Sequence, residues 1–140
     1  MASNSTTVRM RFITTIALAA FGAALQPALA QNKDWMVRIA KIEIDSAFLE
    51  PYQAALHEHT QAAIASEPGV LALYAMHDKV HPTHITVFEV YASKQAYEAH
   101  LKTAHFQKYK TGTFKMVKSL QLIDVDPIAF GAKADMLNKK

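Results

Sequence analysis

Two imidazoles stand five residues apart in the stretch YEAHLKTAHFQKY, residues 97–109, with aromatic residues at either end. Imidazole is the side chain that exchanges protons near neutral pH, and it is also a common metal ligand. His100 and His105 therefore raise three possibilities: proton transfer, metal binding, or a polar seam on a packed helix. At 100° per residue, five residues place the pair about 140° apart on an unbroken helix. They meet only if the chain breaks between them.

Other constellations are less promising. The chain has seven histidines and no cysteine, so thiol catalysis, disulfides and thiolate metal sites are excluded. His57 and His59 are two apart on a predicted helix and point to different sides. His77, His81 and His84 bracket the turn HDKVHPTH. No H-x-x-x-H pair lies on one helix, so these spacings predict no metal site. A G-x-S-x-G elbow is missing, and the four glycines form no phosphate-cradling loop. Glu89 stands alone in the apolar ITVFEVY, where a structural ion pair at an edge or dimer interface is expected in preference to a catalytic base. What is left is an apolar pocket between helices and sheet. Tyr74, Met76, Tyr91, Phe106 and Tyr109 are expected to line it with Phe88, and Glu89 belongs to the same substrate-binding set. A flat aromatic ligand suits such walls, although Phe88 and Phe106 equally suit the core.

The elements that must position these residues follow from periodicity. MVRIAKIEI (36–44) alternates as a strand, and Asp45 or Ser46 can cap the helical FLEPYQAALHEHTQAAIAS (48–66). That helix has Leu49, Tyr52, Leu56 and Ala63 on one side, and Pro68-Gly69 ends it. VLALYAM (70–76) and ITVFEVY (85–91) read as strands, and Ser93 caps the helical KQAYEAHLKTAHFQKYKTGTFKMV (94–117). KSLQLIDV (118–125) closes as a fourth strand. The order β-α-β-β-α-β predicts an α+β, ferredoxin-like antiparallel sheet with both helices on one face. VLALYAM does not alternate, so it requires cover on both sides. One chain has no third layer to offer, which predicts a homodimer with sheets face to face.

The first thirty residues are expected to lie outside this domain. Arg9 and Arg11 precede the apolar run Phe12–Leu25, and Ala28-Leu29-Ala30 follows. A basic start, a short apolar core and an A-x-A site define a cleaved signal peptide, and the run is shorter than the ~20 residues of a spanning helix. Residues 1–30 are thus expected to be removed, leaving a domain over 31–126 and a tail over 127–140 that can serve as a dimer arm. The protein is then exported, periplasmic or secreted, with no stable membrane insertion. Without Arg9 and Arg11, 13 basic residues face 12 acidic ones. That balance and the absence of a basic face argue against nucleic-acid binding.

FEVYASKQAYEAHLKTAHFQKY (88–109) resembles the signature stretch of the antibiotic biosynthesis monooxygenase family, within it most closely the bacterial quinol monooxygenases. The resemblance extends over about Met36–Val125. It implies a dimeric α/β barrel of ferredoxin-like chains and oxidation of a small quinol or phenol by O2 without metal, flavin or haem. Many relatives carry proline just before the second histidine, where this chain has Ala104, so the helix break rests on Thr103 as an N-cap. The resemblance points to His100 as base or oxyanion partner, with Tyr97 and His105 orienting the substrate ring. His100 has a structural reading too, as a helix histidine bonded to backbone or to Glu89. Haem-degrading relatives use an asparagine, a tryptophan and a histidine that this chain lacks at the matched positions. The competing class is an exported, non-catalytic dimer that binds a small molecule, or a stress protein.

Overall fold

The computed structural model describes residues 34–133; the expected signal segment and the end of the tail lie outside them. Strand β1 (Met36–Ile44) runs into a 3-10 turn and helix α1 (Leu49–Ser66). Strands β2 (Val70–His77) and β3 (His84–Tyr91) form a hairpin. Helices α2 (Lys94–His100) and α3 (Ala104–Thr113), a second 3-10 turn and β4 (Val117–Asp124) complete the chain. The sheet order is β2-β3-β1-β4, with every pair antiparallel. This is the ferredoxin-like α+β arrangement expected from the pattern.

Asp45 ends β1 by accepting from the Ala47 amide, and α1 follows one 3-10 turn later. The buried face of α1 consists of Tyr52, Leu56, His59 and Ala63, spaced four, three and four apart. This stripe packs on Ala40, Ile42, Ile44, Ile85 and Val87 at one end of the sheet, and on Val70, Leu73 and Tyr91 at the other. Cross-strand partners share a face. Ile42 with Ile85, Ala40 with Val87 and Arg38 with Glu89 therefore all look towards the helices. Tyr74, opposite Phe88, and Met76, opposite Thr86, look the other way. On that outer face Tyr74 is 39% and Met76 52% exposed in the single chain. The described tail reaches this face, with the Phe130 ring 5.5 Å from Trp35 and 6.2 Å from Phe88.

The long second helix of the sequence reading is two helices. Thr103 adopts an extended conformation (φ −68°, ψ 151°), its hydroxyl accepting from the Phe106 amide and donating to the His100 carbonyl. A capped start therefore falls between the two histidines, and the proline of many relatives is not needed. Thr103→Ala removes this cap and should cost about 1 kcal/mol, read as a lowered denaturant midpoint with an unchanged slope. Gly69 is fixed for a steric reason: a Cβ there would lie 2.6 Å from the Cβ of Ala96 on α2. Gly69→Ala should destabilise by roughly 1–3 kcal/mol, because α2 must shift to admit one methyl group; thermal melts of the variant check this.

Candidate functional site: a histidine–glutamate cluster beneath the helix break

The α2–α3 break turns both histidines onto one carboxylate. Glu67, the residue closing α1, offers Oε1 to His100 Nδ1 at 2.8 Å and to His105 Nε2 at 2.6 Å. A carboxylate oxygen accepts, so both nitrogens carry hydrogen. The Thr103 hydroxyl lies 3.2 Å from the same His105 nitrogen. His100 is 2% exposed, while Glu67 and His105 side chains keep 12% and 22% of their surface. The cluster is therefore sealed on the His100 side and reaches solvent through His105. With Nδ1–H committed to Glu67, the His100 Nε2 lone pair takes part in no hydrogen bond among the described residues. A carboxylate-oriented imidazole with a free second nitrogen is the arrangement of a general base.

Aromatic rings enclose the cluster. Phe106 lies 5.0 Å and Tyr91 5.4 Å from the His100 ring, centroid to centroid. The His59 ring stacks on Tyr109 at 4.8 Å and 9°, and stands 5.1 Å from His100 and 5.5 Å from His105. Its Nδ1 is buried with no hydrogen-bond partner among the described residues. Burial, reinforced by His100 and His105, pushes the His59 pKa down to about 4, so this imidazole is neutral near pH 7. Tyr109 shares a hydroxyl–hydroxyl bond with Tyr52, and burial raises both phenols above the ordinary tyrosine range.

The remaining site residues take different places. Tyr97 lies under the Arg38 guanidinium, 4.4 Å from ring centroid to Cζ, and Arg38 Nε donates to Asp124 at 2.6 Å. Glu89 faces the helices, opposite Arg38, and accepts from the Tyr91 hydroxyl at 2.8 Å, with no ion pair of its own among the described residues. Burial raises its pKa against the opposing effects of that bond and of Arg38. The partner of His100 is Glu67, not Glu89. Tyr74 and Met76 are remote from these groups in kind: they line an open groove of about 750 Å³ between α1 and β2, with Leu56, Leu73, Ile85 and Phe88. The groove holds Gln53, His57, Thr60 and Gln61 from α1, and the Thr60 hydroxyl is buried there without a partner among the described residues. Neither His100 nor His105 lines it. The single pocket expected from sequence is thus two places, an aromatic cluster and a groove.

Sequence reasoning missed His59 and Glu67. Both continue one stripe, 52–56–59–63–67, and extending the apolar spacing by one turn past Ala63 leads to Glu67. The spacing argument about metals considered ligands within one element, whereas the fold collects Glu67, His100 and His105 from the end of α1, from α2 and from α3.

Fold and site together define a ferredoxin-like α+β domain with a buried carboxylate–imidazole cluster under its second helical segment. The sequence profile described as antibiotic biosynthesis monooxygenase matches residues 36–112, and the chain belongs to that family. Among solved structures, one from Bacteroides thetaiotaomicron assigned to antibiotic biosynthesis monooxygenases is 46% identical (TM-score 0.70). The match covers 73% of this chain and 97% of that one. A Lactobacillus acidophilus protein assigned as a monooxygenase is 28% identical over 66% of this chain and 50% of its own, with a TM-score of 0.63. A Nitrosomonas europaea family member shares the fold at 18% identity, covering 68% and 91%, with a TM-score of 0.64. No curated protein matches the chain.

Proposed function

We propose that the chain is a monooxygenase that oxidises a small quinol or phenol with O2, with His100 as the base and no added cofactor. Family membership supports monooxygenase chemistry at the coarse level. The finer reading is carried by one observation: the buried His100 donates Nδ1–H to Glu67 and keeps Nε2 free among aromatic rings. A quinol gives electrons to O2 readily only after losing a proton, so proton removal is the protein's first task. His100 Nε2 takes the phenolic proton, the Glu67 carboxylate stabilises the resulting imidazolium, and the surrounding rings exclude water from radical intermediates. For a hydroquinone the balance is quinol plus O2 giving hydroxyquinone plus water: one oxygen atom enters the ring and the other leaves as water. The substrate supplies all the electrons. His105 is the neighbouring group that orients the ring and gives the cluster its solvent-facing side, whereas Tyr97 is held under Arg38.

The same reading includes a homodimer, supported by the exposed Tyr74 and Met76 on the outer sheet face, and export, supported by the run Phe12–Leu25 and Ala28-Leu29-Ala30. A panel of substituted hydroquinones under air tests the function. O2 uptake matched by quinone absorbance, with no O2 returned on adding catalase, is the expected result; peroxide would mark an oxidase instead. One observation favours a second reading, a binding module without turnover. The groove with the unpartnered Thr60 hydroxyl is separate from the histidines. Tight ligand binding with no O2 uptake would establish that alternative.

A further inference from the structure

We infer that Glu67, His100 and His105 form a binding site for one divalent transition-metal ion of the Zn²⁺ and Co²⁺ class, and that the ion competes with the two hydrogens that hold the imidazoles to Glu67. Two imidazole nitrogens and a carboxylate oxygen are the donor set these ions prefer. The three ligand atoms, His100 Nδ1, His105 Nε2 and Glu67 Oε1, all lie within 4.8 Å of one another. The two contacts to Oε1, at 2.8 and 2.6 Å, are those of hydrogen bonds. Ligands about 2.0–2.1 Å from a tetrahedral ion stand about 3.3 Å apart. Exchanging the two protons for one ion therefore requires each nitrogen to draw back from Oε1 by roughly half an ångström while the two nitrogens settle at the same spacing from each other. His105, the most exposed member, sits at the capped start of α3 and has room to make that movement.

A second feature points the same way. His59 is 6% exposed, and its Nδ1 is a buried polar atom that no described group satisfies. Its ring stands 5.1 and 5.5 Å from those of His100 and His105, close enough to flank an ion held between them. The other histidine-rich region offers less. His77, His81 and His84 are exposed on the hairpin, and the Asp78 carboxylate there is committed to the Val80 and His81 amides at 2.7 Å each.

Metal binding has a consequence for the histidine. Ligation through Nδ1 displaces the Nδ1 proton and leaves hydrogen on Nε2, so the base is lost while the ion is bound. The ion then acts as a reversible inhibitor. The inhibition rests on the monooxygenase reading; the binding site does not, because binding is measured without substrate.

The test is a Co²⁺ titration of the chelator-stripped full chain, followed by the visible d–d band, with Zn²⁺ as competitor. The expected result is a band that saturates at one equivalent and is displaced by Zn²⁺. Affinity should fall at least about tenfold in Glu67→Gln and in His105→Gln, while His81→Ala leaves it unchanged. Both of the weakening variants replace partly exposed side chains, and far-ultraviolet circular dichroism confirms their folding. The absence of a band, or a band that survives Glu67→Gln at full affinity, overturns the site.

Discussion

Under the proposed quinol oxidation, replacing Glu67 by glutamine should lower kcat by roughly 10²-fold or more, while KM changes little. The carboxylate accepts from His100 Nδ1 and so fixes the proton there and the lone pair on Nε2. An amide in its place can turn its NH₂ towards the same nitrogen. His100 then holds hydrogen on Nε2 and has no lone pair for the phenolic proton. Glu67 is a positioning residue in this account, since it acts through His100. A purely structural role would reduce the amount of folded protein without changing the form of the pH profile. A positioning role instead flattens the alkaline-rising limb of kcat, and Glu67→Asp restores part of it. Steady-state rates of the three proteins over pH, with melting curves as controls, distinguish the two.

Stability should fall steeply on acidification, and His59 is the reason. Its pKa is about 4 in the folded chain, against 6.5 for an ordinary histidine. Between those values the unfolded chain takes up a proton that the folded chain refuses, so protons favour unfolding there. The effect is absent above pH 6.5, grows as the pH falls, and is complete near pH 4. Over that window it amounts to on the order of 3 kcal/mol, a large share of the stability of a small domain. His59→Leu keeps an apolar side chain in the stripe and removes the titration. The denaturant midpoint of wild type should fall between pH 6.5 and 4, and that of the variant should fall by much less over the same range. A wild-type stability that is flat between pH 4 and 6.5 would show that His59 is protonated in the folded state.

The fold was legible because the apolar pattern changes period cleanly. MVRIAKIEI alternates, the α1 segment repeats at helical spacing, and Pro68-Gly69 marks the boundary between α1 and β2. The break between His100 and His105 was legible through Thr103, whose hydroxyl caps α3 as expected. Faces of the hairpin were harder. VLALYAM is apolar throughout, so its period of two is hidden, and Tyr74 and Met76 were grouped with residues on the opposite side of the sheet. The identity of the carboxylate was harder still. Glu89 is nearer to His100 in sequence and stands in an apolar strand, yet the tyrosine two residues on occupies it. Glu67 reaches the histidines because the α1–β2 connection passes beside α2, where Gly69 meets Ala96. That approach is a tertiary fact, and local periodicity points to it only through the stripe that ends at residue 67.

The central claim is that His100 removes the substrate proton without a metal. Its most direct test is O2 uptake by wild type and His100→Gln side by side, on the best hydroquinone of the panel, with and without a chelator. Wild-type turnover should be undiminished by the chelator, and the variant, folded by circular dichroism, should be at least about 100-fold slower. A folded His100→Gln protein that turns over at the wild-type rate would contradict the account.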